Sequence, residues 1–318
     1  MTATASVPAG TRPAQAPEPS PRPRRLEPRT VLTVGTVIAL ASLAVALVGL
    51  VVDPRSIQGA PAWLKPMKFG VSITLYLVTL RWMLSHIRGH RRLLLAITGV
   101  MVATLVGEIA LIDLQVVRGT TSHFNDSTAF DSAVFDAMGG MVSMLFVATV
   151  IAAVLVLRRR GLDAGVAAGM RWGLLVSLLG MAEAGLMIAN RGWNDGGGHT
   201  VGAPDGGPGL PITDWSLLHG DLRIGHFIGL HALQALTILA WLLVTRTGLD
   251  ERTRARLLRV AAVGYAGLMV VLTWQALRGL PLLQPDAATL AAGAALVVLV
   301  LGAGGLVLAR RPRAAIAA

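Results

Sequence analysis

The sequence predicts an all-α fold: a polytopic membrane helical bundle of about eight transmembrane helices, with the N-terminus and C-terminus cytoplasmic. Three observations predict it. Of the 318 residues 54% are hydrophobic and only 14% charged, with a mean hydropathy of +0.65, whereas soluble domains carry about 25% charged residues. The apolar residues come in runs: 31–52 and 287–309 hold no charge at all, and about 20 apolar residues suffice to cross a hydrocarbon core. Finally, Lys and Arg fall between the runs, in alternation.

In order, the spans are expected near 31–52, 64–85, 93–116, 132–157, 168–190, 222–245, 257–278 and 287–309. The first follows a Pro-, Ala- and Arg-rich stretch without apolar periodicity, so 1–30 reads as a disordered cytoplasmic tail. At 22 residues that first run is long for a signal peptide, and it ends in Val-Val-Asp-Pro with no small-residue cleavage site, so it reads as an uncleaved span. Pro54, Pro61 and Pro66 punctuate the first loop, and Pro281 and Pro285 the last. Residues 31–309 thus form one transmembrane domain, and 310–318 a basic cytoplasmic tail.

Orientation follows from the basic residues. With the N-terminus inside, 21 Lys and Arg lie on the cytoplasmic side and seven outside. A multi-pass protein of the plasma membrane is expected, with the lipid bilayer as its partner. The net charge of +11 does not indicate nucleic acid, because no basic, aromatic-bearing domain gathers it; it suits the anionic inner face of a bilayer. Cysteine is absent, which excludes disulfides, thiolate metal sites and iron–sulfur clusters. The long outer loop, 191–221, holds nine Gly and two His. It lacks Gly-Lys-Ser/Thr and a preceding strand, so it is no phosphate cradle; it reads either as a flexible connection or as a lid over a site.

Depth is the most informative feature. At 1.5 Å per residue, Lys68, Asp113, Asp136, His226 and Gln275 lie roughly 5–7 Å below the outer ends of their spans, and Glu108, Glu183 and His231 roughly 10–14 Å below. The inner halves carry almost nothing ionisable, apart from Arg81 near the inner surface. Such residues are costly in lipid and usually line a cavity or meet a partner. Lys65, Lys68, Ser72 and Tyr76, spaced 3, 4 and 4, form one polar stripe on the second span. His231 and Gln234 share a face of the sixth, and Glu108 reaches His231 if the third and sixth spans adjoin. An outward-facing polar pocket with an apolar floor is expected, with Arg223 at its rim.

Its ligand types point to chemistry without a diagnostic spacing. His123, His226 and His231 with Glu108 or Asp113 offer imidazole and carboxylate to a divalent transition metal. Haem b would need two axial ligands at matched depth, His231 with His123, His226 or a Met such as Met141 or Met187. Among the outer histidines neither His-x-x-x-His nor His-Glu-x-x-His occurs, the one His-x-x-x-His being His86–His90 in a basic cytoplasmic turn, and hydrogen bonding among residues lining a wet cavity explains the same set. Ser122 beside His123 is a weak nucleophile signal without a Gly-x-Ser-x-Gly elbow; no catalytic residue is assigned. A small-solute transporter is the alternative to a redox or hydrolytic centre, although no ionisable path continues inward, and a structural or assembly partner is the third reading.

Three segments, Trp-Leu-Lys-Pro-Met-Lys-Phe (63–69), Arg-Gly-Thr-Thr-Ser-His-Phe-Asn (118–125) and Gly-Asp-Leu-Arg-Ile-Gly-His-Phe-Ile-Gly-Leu-His-Ala-Leu-Gln (220–234), resemble a set of uncharacterised bacterial multispan integral membrane proteins. The resemblance runs from about the second span to the seventh. It implies the membrane class and carries no assigned activity.

Overall fold

A computed structural model describes residues 26–192 and 197–310. Of the tails expected at 1–30 and 310–318, residues 1–25 and 311–318 lie outside the described residues, and 28–30 form the start of the first helix. The helices are α1 (Pro28–Val52), α2 (Leu64–Leu84), α3 (Arg91–Val117), α4 (Ala129–Arg158), α5 (Ala164–Ala182), α6 (Ala184–Ala189), α7 (Arg223–Arg246), α8 (Glu251–Leu277) and α9 (Ala287–Ala309). α5 and α6 form one rod interrupted at Glu183.

Seven of these rods are long and apolar enough to cross a membrane, so the chain is an all-α polytopic bundle, as the composition requires. The remaining long helix, α2, has 21 residues but carries Lys65, Lys68 and Arg81. It crosses the same bundle. Its first turn meets the 118–128 turn, and its last leads into the turn at His86, whose carbonyl accepts from Arg159 Nε at the end of α4 (3.0 Å).

Five helices begin earlier than the apolar pattern indicates, and three of them have a side-chain cap: α4 at 129 against 132, α5 at 164 against 168, α8 at 251 against 257. Thr128 accepts from Asp131 N, Asp163 from Gly165 N and Val166 N, and Asp250 from Thr253 N. Such caps satisfy orphan N–H groups and support polar first turns, such as Glu251–Arg256, that lack an apolar stripe.

The tightest seam joins α5 and α7. Gly180 lies directly on the Gly229 backbone, and Gly169 and Gly173 lie on the Leu236 and Leu233 backbone. Without side chains, the two helices approach closely, which compensates for the weak hydrophobic drive between helices in lipid. The main apolar core gathers Leu77, Leu80, Met101, Leu145 and Ala152 from α2, α3 and α4, and a second gathers Met83, Met170, Leu174 and Leu233. α9 packs along α8, and Thr289 is its one buried residue.

The turns 53–63, 118–128, 197–222 and 278–286 all meet at one end of the bundle, called here the capped end. Arg55 donates to the Val117 carbonyl (3.4 Å), and Lys68 to the Thr213 carbonyl (2.8 Å). Gly59 lies against Gly206, and Gly220 against the Ala276 carbonyl.

Candidate functional site

The site is organised by α2. Its four-residue stripe reaches four different elements in succession. Lys65 Nζ lies 3.1 Å from His123 Nδ1 in the 118–128 turn, and Lys68 Nζ donates to the Thr213 carbonyl of the long loop. Ser72 Oγ lies 3.3 Å from His231 Nε2 on α7, and Tyr76 Oη 2.8 Å from Thr149 Oγ1 on α4. Below Tyr76 the same helix buries Leu77, Leu80 and Met83 completely. The polar layer therefore lies at the capped end, and the apolar core forms its floor.

Over this layer residues 197–222 fold into a cap. Two short strands, Thr200–Val201 and Gly220–Asp221, pair antiparallel at its base. Asn190 Nδ2 donates to the Gly198 and Thr200 carbonyls (3.0 and 2.8 Å). Asp205 accepts from the backbone of His199 and Thr200, and Asp221 from that of Ser216 and Arg223. Arg223, the first residue of α7, grips Asp221 through Nε and Nη2 (3.0 and 2.7 Å) and reaches Asp214 Oδ2 at 3.3 Å. Trp215 of the cap meets Phe227 edge to face (ring centroids 5.9 Å apart), and Phe227 meets His231 at a tilt (4.3 Å). These bonds make 197–222 an ordered segment rather than a flexible connection.

His199 is held in the cap between Asp205 (3.3 Å) and Asp221 (3.8 Å). Burial, and then the Arg223 guanidinium, keep it below the ordinary histidine value despite the two carboxylates. The closed cap thus holds it neutral, whereas a released cap protonates it near its ordinary value of about 6.5. The released form binds more protons below that point, so the closed form loses stability as pH falls through it. Amide exchange in 197–222, corrected for its intrinsic rate, is expected to be faster at about pH 5.5 than at about pH 7.5, and His199→Gln should flatten the difference. A pH-independent exchange ratio in the wild type would contradict this.

The sequence-selected residues divide into two groups. Lys68, His123, Arg223, His226, His231 and Gln234 gather around α2 and the cap, with Glu108 on their α3 side. His226 Nδ1–H donates to the Gly180 carbonyl (2.6 Å), which fixes the tautomer and leaves Nε2 as a free acceptor. Glu108 is 3% exposed, and both its carboxyl oxygens are unpartnered, as is Gln234 Oε1. The charge that reaches Glu108 is that of Lys65. The other group lies elsewhere. Asp113 accepts from Ser42 (2.9 Å) on the α1–α3 seam, and Asp136 is exposed on α4. Glu183 accepts from Thr273 on α8, and Gln275 Nε2 donates to the Pro281 carbonyl (2.6 Å), closing the last turn. The expected contact of Glu108 with His231 does not form. α2 stands between their helices, so Glu108 faces Lys65 and His231 faces Ser72.

No family model, no curated protein and no solved structure matches the chain. What the site can do chemically follows from its own residues. Among the described residues, no group of three or more His, Asp and Glu side chains converges on one metal position. The site instead alternates charges: Lys65, Lys68 and Arg223 face Glu108, Asp205, Asp214 and Asp221. Sequence reasoning did not select His199, Asp205 or Asp221. Only Asp221 carried a signal, the Asp-x-Arg spacing at 221–223, which places a carboxylate beside the first guanidinium of a helix.

Proposed function

We propose that the chain binds a small polar solute from the outer side of the plasma membrane, as the receiving site of a transporter. The observation that carries this reading is the α2 stripe, which ties the cap, the 118–128 turn and α7 into one polar layer above an apolar floor. Such a layer offers hydrogen bonds to a solute at one end of the bundle and a barrier below it. The excess of basic residues at the opposite end supports placing the capped end outside. A surface hollow of about 680 Å³ opens at the same end, lined by Gln58, Phe124, Asn190, Thr200 and Asp205 among others.

The test combines sidedness and binding. An epitope at Gly207, an exposed cap residue, should be reached by antibody in intact cells, and a C-terminal epitope only after permeabilisation. Purified protein should then gain thermal stability, saturably, from at least one of glucose, glycerol, inorganic phosphate or glycine, and Ser72→Ala/His231→Ala should weaken the gain. An inaccessible Gly207 epitope, or no response to any solute, would defeat the proposal.

A metal- or haem-binding redox or hydrolytic centre is the second reading. One observation favours it: the Gly180 carbonyl orients His226 as backbone carbonyls orient metal-bound imidazoles, with Nε2 free. Stoichiometric metal or a haem absorption band in protein purified without chelator, lost in His226→Ala, would move the assignment to it.

A further inference from the structure

Glu108 is the side chain that the bundle satisfies least. It lies on α3, is 3% exposed, and neither carboxyl oxygen receives a hydrogen bond. A buried carboxylate without donors is strongly unfavourable. Lys65 stands close enough for its charge to be felt, yet the pair does not come within the 4.0 Å of an ion pair. The Lys65 ammonium contacts His123 Nδ1 at 3.1 Å. That contact uses one of its three N–H donors. Asp205 of the cap and Arg223 and Lys68 act on Lys65 from its other sides.

The site therefore presents acceptors on α3 and donors on α2, separated by more than a direct contact. A simple anion would meet Lys65 and leave Glu108 without a donor. A simple cation would meet Glu108 and be repelled by Lys65, Lys68 and Arg223. A neutral polyol would bring donors but no charge to either group. We infer that the solute is a small primary-amine zwitterion of the amino-acid class, its ammonium donating to Glu108 and its carboxylate accepting from Lys65. A quaternary ammonium would not serve, since it has no N–H for the two oxygens.

This inference rests on the solute-binding reading and can fail separately from it. Full-length protein in detergent is titrated with L-alanine, propionate and ethylamine, three probes of similar size, and stability is followed by intrinsic fluorescence. L-Alanine should give a saturable rise with a half-saturation at least ten-fold lower than either half-probe. Glu108→Gln should remove that preference while keeping the cooperative unfolding of the wild type. Lys65→Met should do the same, and Asp113→Asn, on the α1–α3 seam, should not. Equal responses to alanine and propionate, or to alanine and ethylamine, would overturn the zwitterion assignment. So would silence to all three probes; if glucose, glycerol or phosphate still bound, solute binding itself would stand. Where Glu108→Gln does not fold, the three-probe comparison on wild-type protein decides the matter alone.

Discussion

Gly180→Leu is expected to remove the folded protein, whereas Gly140→Leu leaves its thermal midpoint nearly unchanged. The difference lies in what a side chain would meet. At Gly180 on α5, even a Cβ would overlap the Gly229 carbonyl carbon and the Leu230 nitrogen of α7. These are backbone atoms, so no rotamer change relieves the clash and the helices must separate. Separation also breaks the Ser177 bond to the Leu230 carbonyl (3.1 Å) and the His226 bond to the Gly180 carbonyl. It further loosens Gly173 and Gly169 on the same seam. Overpacking a well-fitted core costs about 1–3 kcal/mol and sometimes more, against a typical total of roughly 5–15 kcal/mol. Gly180→Ala should therefore lower the midpoint clearly, and leucine should abolish a monodisperse peak. At Gly140 a Cβ meets nothing within 4 Å. Size-exclusion profiles and thermal midpoints of the three variants test the seam. A stable Gly180→Leu protein would mean that α5 and α7 do not pack as described.

The bundle was legible in the sequence because lipid imposes a length and a composition on every crossing, and the Arg clusters mark the turns. The stripe on α2 was legible for the same kind of reason. Residues spaced 3, 4 and 4 must share a helix face, and Lys65, Lys68, Ser72 and Tyr76 do all point inward. Depth alone did not reveal adjacency. Asp113, Asp136, Glu183 and Gln275 lie at the expected level but on other seams or on the outer surface, because the order in which helices pack is not written in any one helix. The insertion of α2 between α3 and α7 decided which histidine and which carboxylate could meet. The cap was the least legible part. Its bonds are mostly side chain to backbone, made by Asp205, Asp221 and Asn190, and such bonds leave no periodicity to read. Gly220 illustrates this: it resembles any other loop glycine in sequence, yet it is the point where the strand Gly220–Asp221 touches the end of α8.

Arg223→Met is expected to release the cap while leaving the helices assembled. Asp221 has a fully buried side chain, and burial opposes its charge. The Arg223 guanidinium and backbone N–H groups nonetheless keep its carboxyl below the usual range. Methionine retains the length of the side chain and removes both the charge and the donors, leaving a buried carboxylate uncompensated. Breaking one partner of a buried pair costs about 3–5 kcal/mol, several times the worth of an exposed pair. The closed cap avoids that cost by opening, because Asp221 then reaches water, and opening also withdraws Thr213 from Lys68 and Trp215 from Phe227. Hydrogen exchange should rise by a large factor in 197–222 and stay near wild type in α5 and in the inner half of α7. Arg223→Lys should restore part of the protection, since an ammonium supplies the charge but not the two-pronged grip. Adding Asp221→Asn to Arg223→Met should recover more than the sum of the single effects allows, because it removes the stranded charge. If exchange in 197–222 is unchanged in Arg223→Met, the pair does not hold the cap closed. Uniformly faster exchange throughout the bundle would show that Arg223 supports the whole fold and not the cap alone.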